Sequence, residues 1–229
     1  MKKILGTLNK FDIILYFSGI ICSILGFIIF KNTEYLNLIN TIFGLTALLF
    51  VAKGNPFGQL LIIIFSILYG ISSYSYQYYG ELITYVCLTG PSAIISLISW
   101  LNNLNGDKLE VKINELKYKE YVFLSFLSIV VSFAFYFILK ALNTTNLLLS
   151  TFSIFTSFIA SYLTFRRSRF YALGYIANDI VLIVLWILAS VSSKEYISVV
   201  ICFVFFLIND LYGFINWTKL YKEQSNKQN

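Results

Sequence analysis

The stretch IANDIVLIVLW, residues 176–186, sets an Asn-Asp pair inside chain that is otherwise hydrocarbon-soluble, and LINDLYGFINW, residues 207–217, does so again. In lipid, an unpaired polar group is costly, so Asn178, Asp179, Asn209 and Asp210 must face a protein interior or a water-filled cavity. The rest of the chain has the same character. Of its 229 residues 58% are apolar and 12% charged, with 22 Phe and 17 Tyr, and the mean hydropathy is +0.77. No soluble domain of this size tolerates such a surface. The composition describes an all-α polytopic membrane protein.

A hydrocarbon core of about 30 Å takes roughly 20 helical residues. Eight runs fit, near 11–30, 34–52, 57–78, 81–101, 121–142, 145–165, 170–192 and 196–217. Charge supports that number. With a cytoplasmic N-terminus, fourteen basic residues fall inside (Lys2, Lys3, Lys10, Lys53, Lys108, Lys112, Lys117, Lys119, Arg166, Arg167, Arg169, Lys219, Lys222, Lys227). Three fall outside (Lys31, Lys140, Lys194). That bias predicts both termini in the cytoplasm, and it accounts for the net charge of +6 without nucleic acid. MKKILGTLNK has no small-residue cleavage site after it, so the first span is expected to stay.

The chain has no histidine, no phosphate-binding loop and no nucleophile elbow, and its three cysteines sit unpaired in apolar runs. Metal, cofactor and catalytic roles find no support. The polar loop 102–120 reads as a solvated connection between two groups of four spans.

Side chains seven apart share a helix face. Gln59, Ser66 and Ser73 form one stripe in the third span, with Tyr69 and Gly70 beside it. Tyr171, Gly174 and Asn178 form another, flanked by Tyr175, Asp179 and Trp186, and the last span puts Asp210, Gly213 and Trp217 on one face with Asn209 and Tyr212 adjacent. Amides that donate and accept suit a sugar or a neutral amide, and rings suit a flat heterocycle. Packing through small polar residues is the competing reading for Ser66, and membrane-interface anchoring is the competing reading for Trp100 and Trp217. Gly90-Pro91 in the fourth span predicts a kink or hinge. A basic turn before the third and the seventh span, and a terminal Trp in the fourth and the eighth, suggest two parallel three-span repeats at 34–101 and 145–217. The 121–142 helix would link them.

At these residues the chain resembles the PnuC family of bacterial vitamin-nucleoside transporters. The likeness runs through LTALLFVAKGNPFGQ, SILYGISSYSYQYYGE, GP, SWLNN, FYALGYIAND and DLYGFINW, covering residues 34–217 in order. It implies a 3+1+3 core similar to SWEET sugar transporters. The implied division is an extra helix within 1–33, repeats at 34–101 and 145–217, a cytoplasmic loop 102–120, a linker 121–142 and a polar tail 218–229. It further implies facilitated diffusion of nicotinamide riboside, with thiamine or riboflavin as cargo of relatives, and trapping by a separate cytoplasmic kinase. A homo-oligomer fits the resemblance, although no stripe carries G-x-x-x-G. Asn178 matches a family asparagine that contacts substrate. The family's W-x-x-W-x-x-x-N becomes Tyr171, Gly174 and Asn178 here, and Tyr85 stands at the asparagine of YYGE-x-x-x-N.

The expected substrate site is thus Asn178, Asn209, Gln59, Tyr69, Asp179, Asp210, Trp186, Tyr212, Ser66 and Tyr171, with Gly90 and Pro91 as hinge. The alternatives are a proton-coupled carrier of another vitamin or nucleoside, which the two acids keep open, and a membrane scaffold or receptor without flux.

Overall fold

The computed structural model describes residues 8–32, 34–75, 79–106 and 109–226. Lys2, Lys3, Lys108 and Lys227 of the charge count, and Tyr78 of YYGE, lie outside the described residues. Eight helical stretches are long and apolar enough to span a membrane. They are α1 (Lys10–Ile29), α2 (Tyr35–Ala52), α3 (Phe57–Ser75), a composite fourth span, α6 (Tyr118–Ala141), α7 (Leu147–Phe165), α8 (Tyr171–Ser190) and α9 (Ile197–Ser225). The fourth span joins α4 (Tyr79–Ile83), a π-helical turn (Thr84–Thr89) and α5 (Gly90–Leu101).

The kink expected at Gly90-Pro91 takes the form of that π turn. Pro91 has no N–H to give the preceding turn, and the Gly90 N–H reaches back to the Tyr85 carbonyl, one residue further than in an α-helix. The last helix overruns its expected end at 217 by two turns, because Gln224 accepts from Ile113 N–H at 2.9 Å and donates to the Val111 carbonyl at 3.1 Å, docking it on the 102–117 loop.

Two local structures recur at a constant offset. At the end of α2, Asn55 N–H bonds Phe50 O and Gly54 N–H bonds Val51 O; at the end of α7, Ser168 N–H bonds Leu163 O and Arg167 N–H bonds Thr164 O. Both are left-handed helix stops, with φ +66° at Gly54 and +57° at Arg167. Asn55 and Ser168 then cap the next helix through Phe57 N–H and Phe170 N–H. Just inside each following helix a glycine allows close crossing. A Cβ on Gly58 would lie 2.6 Å from Val51 N, and one on Gly174 would lie 2.8 Å from Ala160 Cα.

The tryptophans at 100 and 217 are not interface anchors. Both are fully buried, 5.3 Å apart between ring centroids. Trp100 Nε1–H donates to Thr164 O of α7, and Trp217 Nε1–H donates to Val51 O of α2, each at 2.9 Å. Each indole is a second donor to a helix-end carbonyl that already accepts from Arg167 N–H or Gly54 N–H. The wider packing has the same reciprocity, α2 against α9 and α5 against α7. The linker helix α6 packs mainly on α7, and α1 lies across α2 and α9. Both turn Ile and Phe outward, including Ile14, Phe17, Phe126 and Phe133, as a lipid-facing helix must.

A buried ion pair fixes α1. Asn9 and Asp12 form a reciprocal capping box at its start. Lys53 Nζ stands 2.7 Å from Asp12 Oδ2 and donates to the Tyr212 hydroxyl at 3.0 Å, while Tyr212 donates to Asp12 Oδ1 at 2.5 Å. Burial lowers the Lys53 ammonium, but the hydrogen bonds and charges of Asp12 and Tyr212 outweigh it and hold the group above its ordinary value.

Candidate functional site

A cavity of about 60 Å³ lies between the helices, walled by Gly44, Leu48 and Val51 of α2, Gln59, Ile62 and Phe65 of α3, and Tyr85 and Thr89 of the π turn. Ser157 of α7, Tyr175, Asn178 and Asp179 of α8, and Phe203, Phe206 and Asp210 of α9 complete it. The Gly58 and Gly174 crossings bring the helix pairs together beside it, which is why polar groups far apart in sequence meet there.

Asn178 is buried and its polarity is divided. Its Oδ1 accepts from Ser157 Oγ at 2.9 Å and Ser153 Oγ at 3.2 Å, with Thr156 Oγ1 3.0 Å away. Those three residues stand at i, i+3 and i+4 on α7, one face of one helix. Among the described residues the Asn178 amide nitrogen has no partner, so what Asn178 presents is a donor. Gln59 brings a second amide, 3% exposed and without a side-chain partner among the described residues. Asp179 and Asp210, 4% and 3% exposed, face each other across α8 and α9, and one Asp179 oxygen has no hydrogen-bond partner. The cavity therefore offers amide donors on one side and carboxyl acceptors on another, with Tyr85, Tyr175, Phe65 and Phe206 as ring walls.

Four of the ten expected residues thus meet: Gln59, Asn178, Asp179 and Asp210. The other six are placed elsewhere. Asn209 turns away, its amide donating to Phe205 O one turn back at 2.8 Å. Tyr212 belongs to the Lys53–Asp12 cluster. Tyr171 is fully buried 4.6 Å from Trp217, and its hydroxyl abuts Gly213. Ser66 donates to Ile63 O and packs on Gly90, the packing role weighed for it. Tyr69 packs against the cavity-lining Tyr85, with centroids 4.2 Å apart and rings tilted by 44°, and Trp186 lines a separate space at the end of α8. Gly90 and Pro91 adjoin the cavity through the π turn. Tyr85, Thr89 and Ser157 were not singled out as site residues. The Ser153, Thr156, Ser157 spacing was a readable signal for the last.

The surroundings of Tyr171 and Gly174 explain why the double tryptophan of the resembled pattern is missing. Trp217 already fills the space beside Tyr171, and Gly174 sits on the Ala160 backbone.

A family model described as nicotinamide mononucleotide transporter matches residues 34–219. The nicotinamide riboside transporter PnuC of Neisseria mucosa is 26% identical over 202 residues, covering 86% of this chain and 77% of that protein. The protein of the same name from Haemophilus influenzae is 27% identical over 191 residues, covering 82% and 81%. The fold is similar to the crystal structure of the vitamin B3 transporter PnuC, with a TM-score of 0.84 at 24% identity over 97% of each chain.

Proposed function

The chain belongs to the nicotinamide mononucleotide transporter family, and on that premise we propose that it carries nicotinamide riboside, or a closely related nucleoside, across the bacterial cytoplasmic membrane by facilitated diffusion. It is a transporter, as its homologues are, and not an enzyme. The observation that carries the substrate assignment is the polar wall of the cavity. Asn178 and Gln59 suit the ribose hydroxyls and the carboxamide, Asp179 and Asp210 attract the positively charged pyridinium ring, and Tyr85 or Tyr175 gives it a stacking face.

The mechanism is alternating access between two three-helix repeats, 34–101 and 145–217, joined by the 121–142 helix in a SWEET-like 3+1+3 core with both termini cytoplasmic. The reciprocal tryptophan bonds and the repeated helix stops support that division. Binding sites for drug-sized ligands usually hold about 300–1,000 Å³, whereas this cavity holds about 60 Å³. The halves must part to admit a nucleoside, and the π turn at Thr84–Thr89 before Gly90-Pro91 is a natural flexing point. A cytoplasmic kinase traps the solute, so no energy source is needed within the chain.

The facing Asp179 and Asp210 carboxyls favour a proton-coupled carrier as the second reading. Uptake into proteoliposomes separates the readings: a facilitator equilibrates nicotinamide riboside, a symporter concentrates it under an inward proton gradient, and a scaffold moves none. Calorimetric titration of wild type and Asn178→Ala with nicotinamide riboside, nicotinamide mononucleotide, thiamine and riboflavin tests the site; riboside binding unaffected by the substitution removes Asn178 from it.

A further inference from the structure

Hydroxyls in the membrane-spanning helices commonly bond to their own helix. Thr41, Thr84, Ser128, Thr151 and Thr164 each donate to the carbonyl four residues back, at 2.7–2.9 Å. Ser153 and Ser157 of α7 do not. They stand four residues apart on one face, are 2% and 5% exposed, and donate across to Asn178 Oδ1 on α8 at 3.2 and 2.9 Å. Neither side chain makes another hydrogen bond among the described residues. Thr156 lies 3.0 Å from the same oxygen but also reaches Ser153 O at 3.0 Å and Phe152 O at 3.1 Å, so its proton has an outlet within α7.

A carbonyl oxygen has two lone pairs, and the two serines occupy both. The amide nitrogen, which carries two donors and has no partner among the described residues, is then what Asn178 holds toward the cavity. A primary amide without such anchors turns over at little cost, because its two ends have the same shape but opposite polarity. Gln59 is in that condition: it lines the same cavity, 3% exposed, with no side-chain partner among the described residues. The cavity thus sets an amide of fixed polarity on α8 beside one of free polarity on α3. Only the first can tell an acceptor from a donor.

We propose that Ser153 and Ser157 are positioning residues: by holding Asn178 as a donor, they make the site select solutes that bring an acceptor oxygen on the edge of a cationic ring. The inference rests on the nicotinamide riboside reading and deepens it. The charge of that ring draws it toward Asp179 and Asp210, and Asn178 is the neighbour of Asp179 on α8, so the acceptor it meets is the carboxamide oxygen. A buried donor left without an acceptor costs more than the bond itself contributes, which is how such a site discriminates.

Calorimetric titration of wild type with three ribosides of equal charge tests the polarity and needs no variant. Nicotinamide riboside has both carbonyl and amino group, 3-acetylpyridine riboside keeps only the carbonyl, and thionicotinamide riboside keeps the amino group but replaces the oxygen with sulfur, a weak acceptor. The acetyl compound should bind within about threefold of nicotinamide riboside and the thio compound about tenfold more weakly. Equal binding of all three overturns the proposal. So does the reverse order, in which the amide turns its oxygen to the solute and the serines accept from its nitrogen. In Ser153→Ala/Ser157→Ala the thio penalty should shrink to about threefold or less, whereas Thr151→Val, which removes a hydroxyl bonded to Leu147 O, should keep it. An undiminished penalty in the double variant overturns the positioning role. Melting of Ser157→Ala, Asn178→Ala and their combination is measured beside it, and losses smaller than additive show the hydroxyl holding the amide without reference to any solute. If no riboside binds wild type, the substrate reading fails, and additive melting losses would still overturn the anchoring on their own.

Discussion

Replacing Lys53 with methionine removes the one cation paired with Asp12 among the described residues, and that carboxylate is 0% exposed. Breaking a buried pair on one side commonly costs about 3–5 kcal/mol. Here Asp12 keeps the Tyr212 hydroxyl at 2.5 Å and its own capping bond from Asn9 N–H at 2.6 Å, and the Lys53 side chain is 11% exposed. The expected loss is therefore about 2–3 kcal/mol. For a chain of this size about 2–4 °C of melting temperature accompanies each kcal/mol, so thermal unfolding in detergent should fall by about 5–10 °C. Adding Asp12→Asn to Lys53→Met removes the stranded charge and should recover most of that loss, because the amide oxygen can keep the bond from Asn9 N–H while its NH2 donates to the Tyr212 hydroxyl, which has lost its Lys53 donor. A double variant as unstable as Lys53→Met alone would refute the reasoning, since the cost would then come from lost packing. The pH dependence has a definite sign. Lys53 is held above its ordinary value of 10.5 in the folded protein, so its contribution is complete below that pH and declines as pH rises through the higher folded value. The wild-type melting temperature should fall in that alkaline window more steeply than that of the double variant.

Trp100→Phe and Trp217→Phe each remove an indole donor from a helix-end carbonyl while leaving a ring, and melting should show matching losses of about 1–3 kcal/mol; values differing by more than that range would break the equivalence of the two sites. Asn178→Asp loses the amide donors and sets a third buried acid beside Asp179 and Asp210, so riboside affinity measured by calorimetry should drop about tenfold and the melting temperature should fall with it. Gly174→Ala places a methyl against the Ala160 backbone and should destabilise by about 1–3 kcal/mol, whereas Gly106→Ala, with open space around it, should cost less despite its φ of +61°.

Hydropathy set the spans within a few residues, the two-turn overrun of the last helix apart, because crossing lipid demands length and apolarity, and both are local properties. The same locality limits the site. Asn209 and Asp210 are one residue apart, yet a 100° step on α9 sends Asp210 into the cavity and leaves Asn209 bonded to its own helix. A stripe marks which residues share a face, but the facing helix decides what that face meets. Tyr212 looked like a stacking group because Asp12 and Lys53, its partners, stand about two hundred and 159 residues away. Trp100 and Trp217 looked like interface anchors for the same reason: the carbonyls they serve belong to Thr164 and Val51, on helices that no local pattern joins to them. Gly90-Pro91 did announce an irregular helix, since a missing N–H is a covalent fact. The π turn that resolves it depends on the Tyr85 carbonyl finding the Gly90 N–H.

The crossed indole bonds bear on how such a chain could arise. Each proposed repeat ends in a tryptophan whose indole N–H bonds a helix-end carbonyl of the other, so each buries its last ring against its counterpart. A lone three-helix unit would leave its indole N–H without that carbonyl, and a second copy of itself would supply one. On the proposed repeats, such an exchange is what the fusion of two copies of a pairing polypeptide would leave behind. Severing the present chain in the 102–117 loop and co-producing the fragments should then restore the assembly.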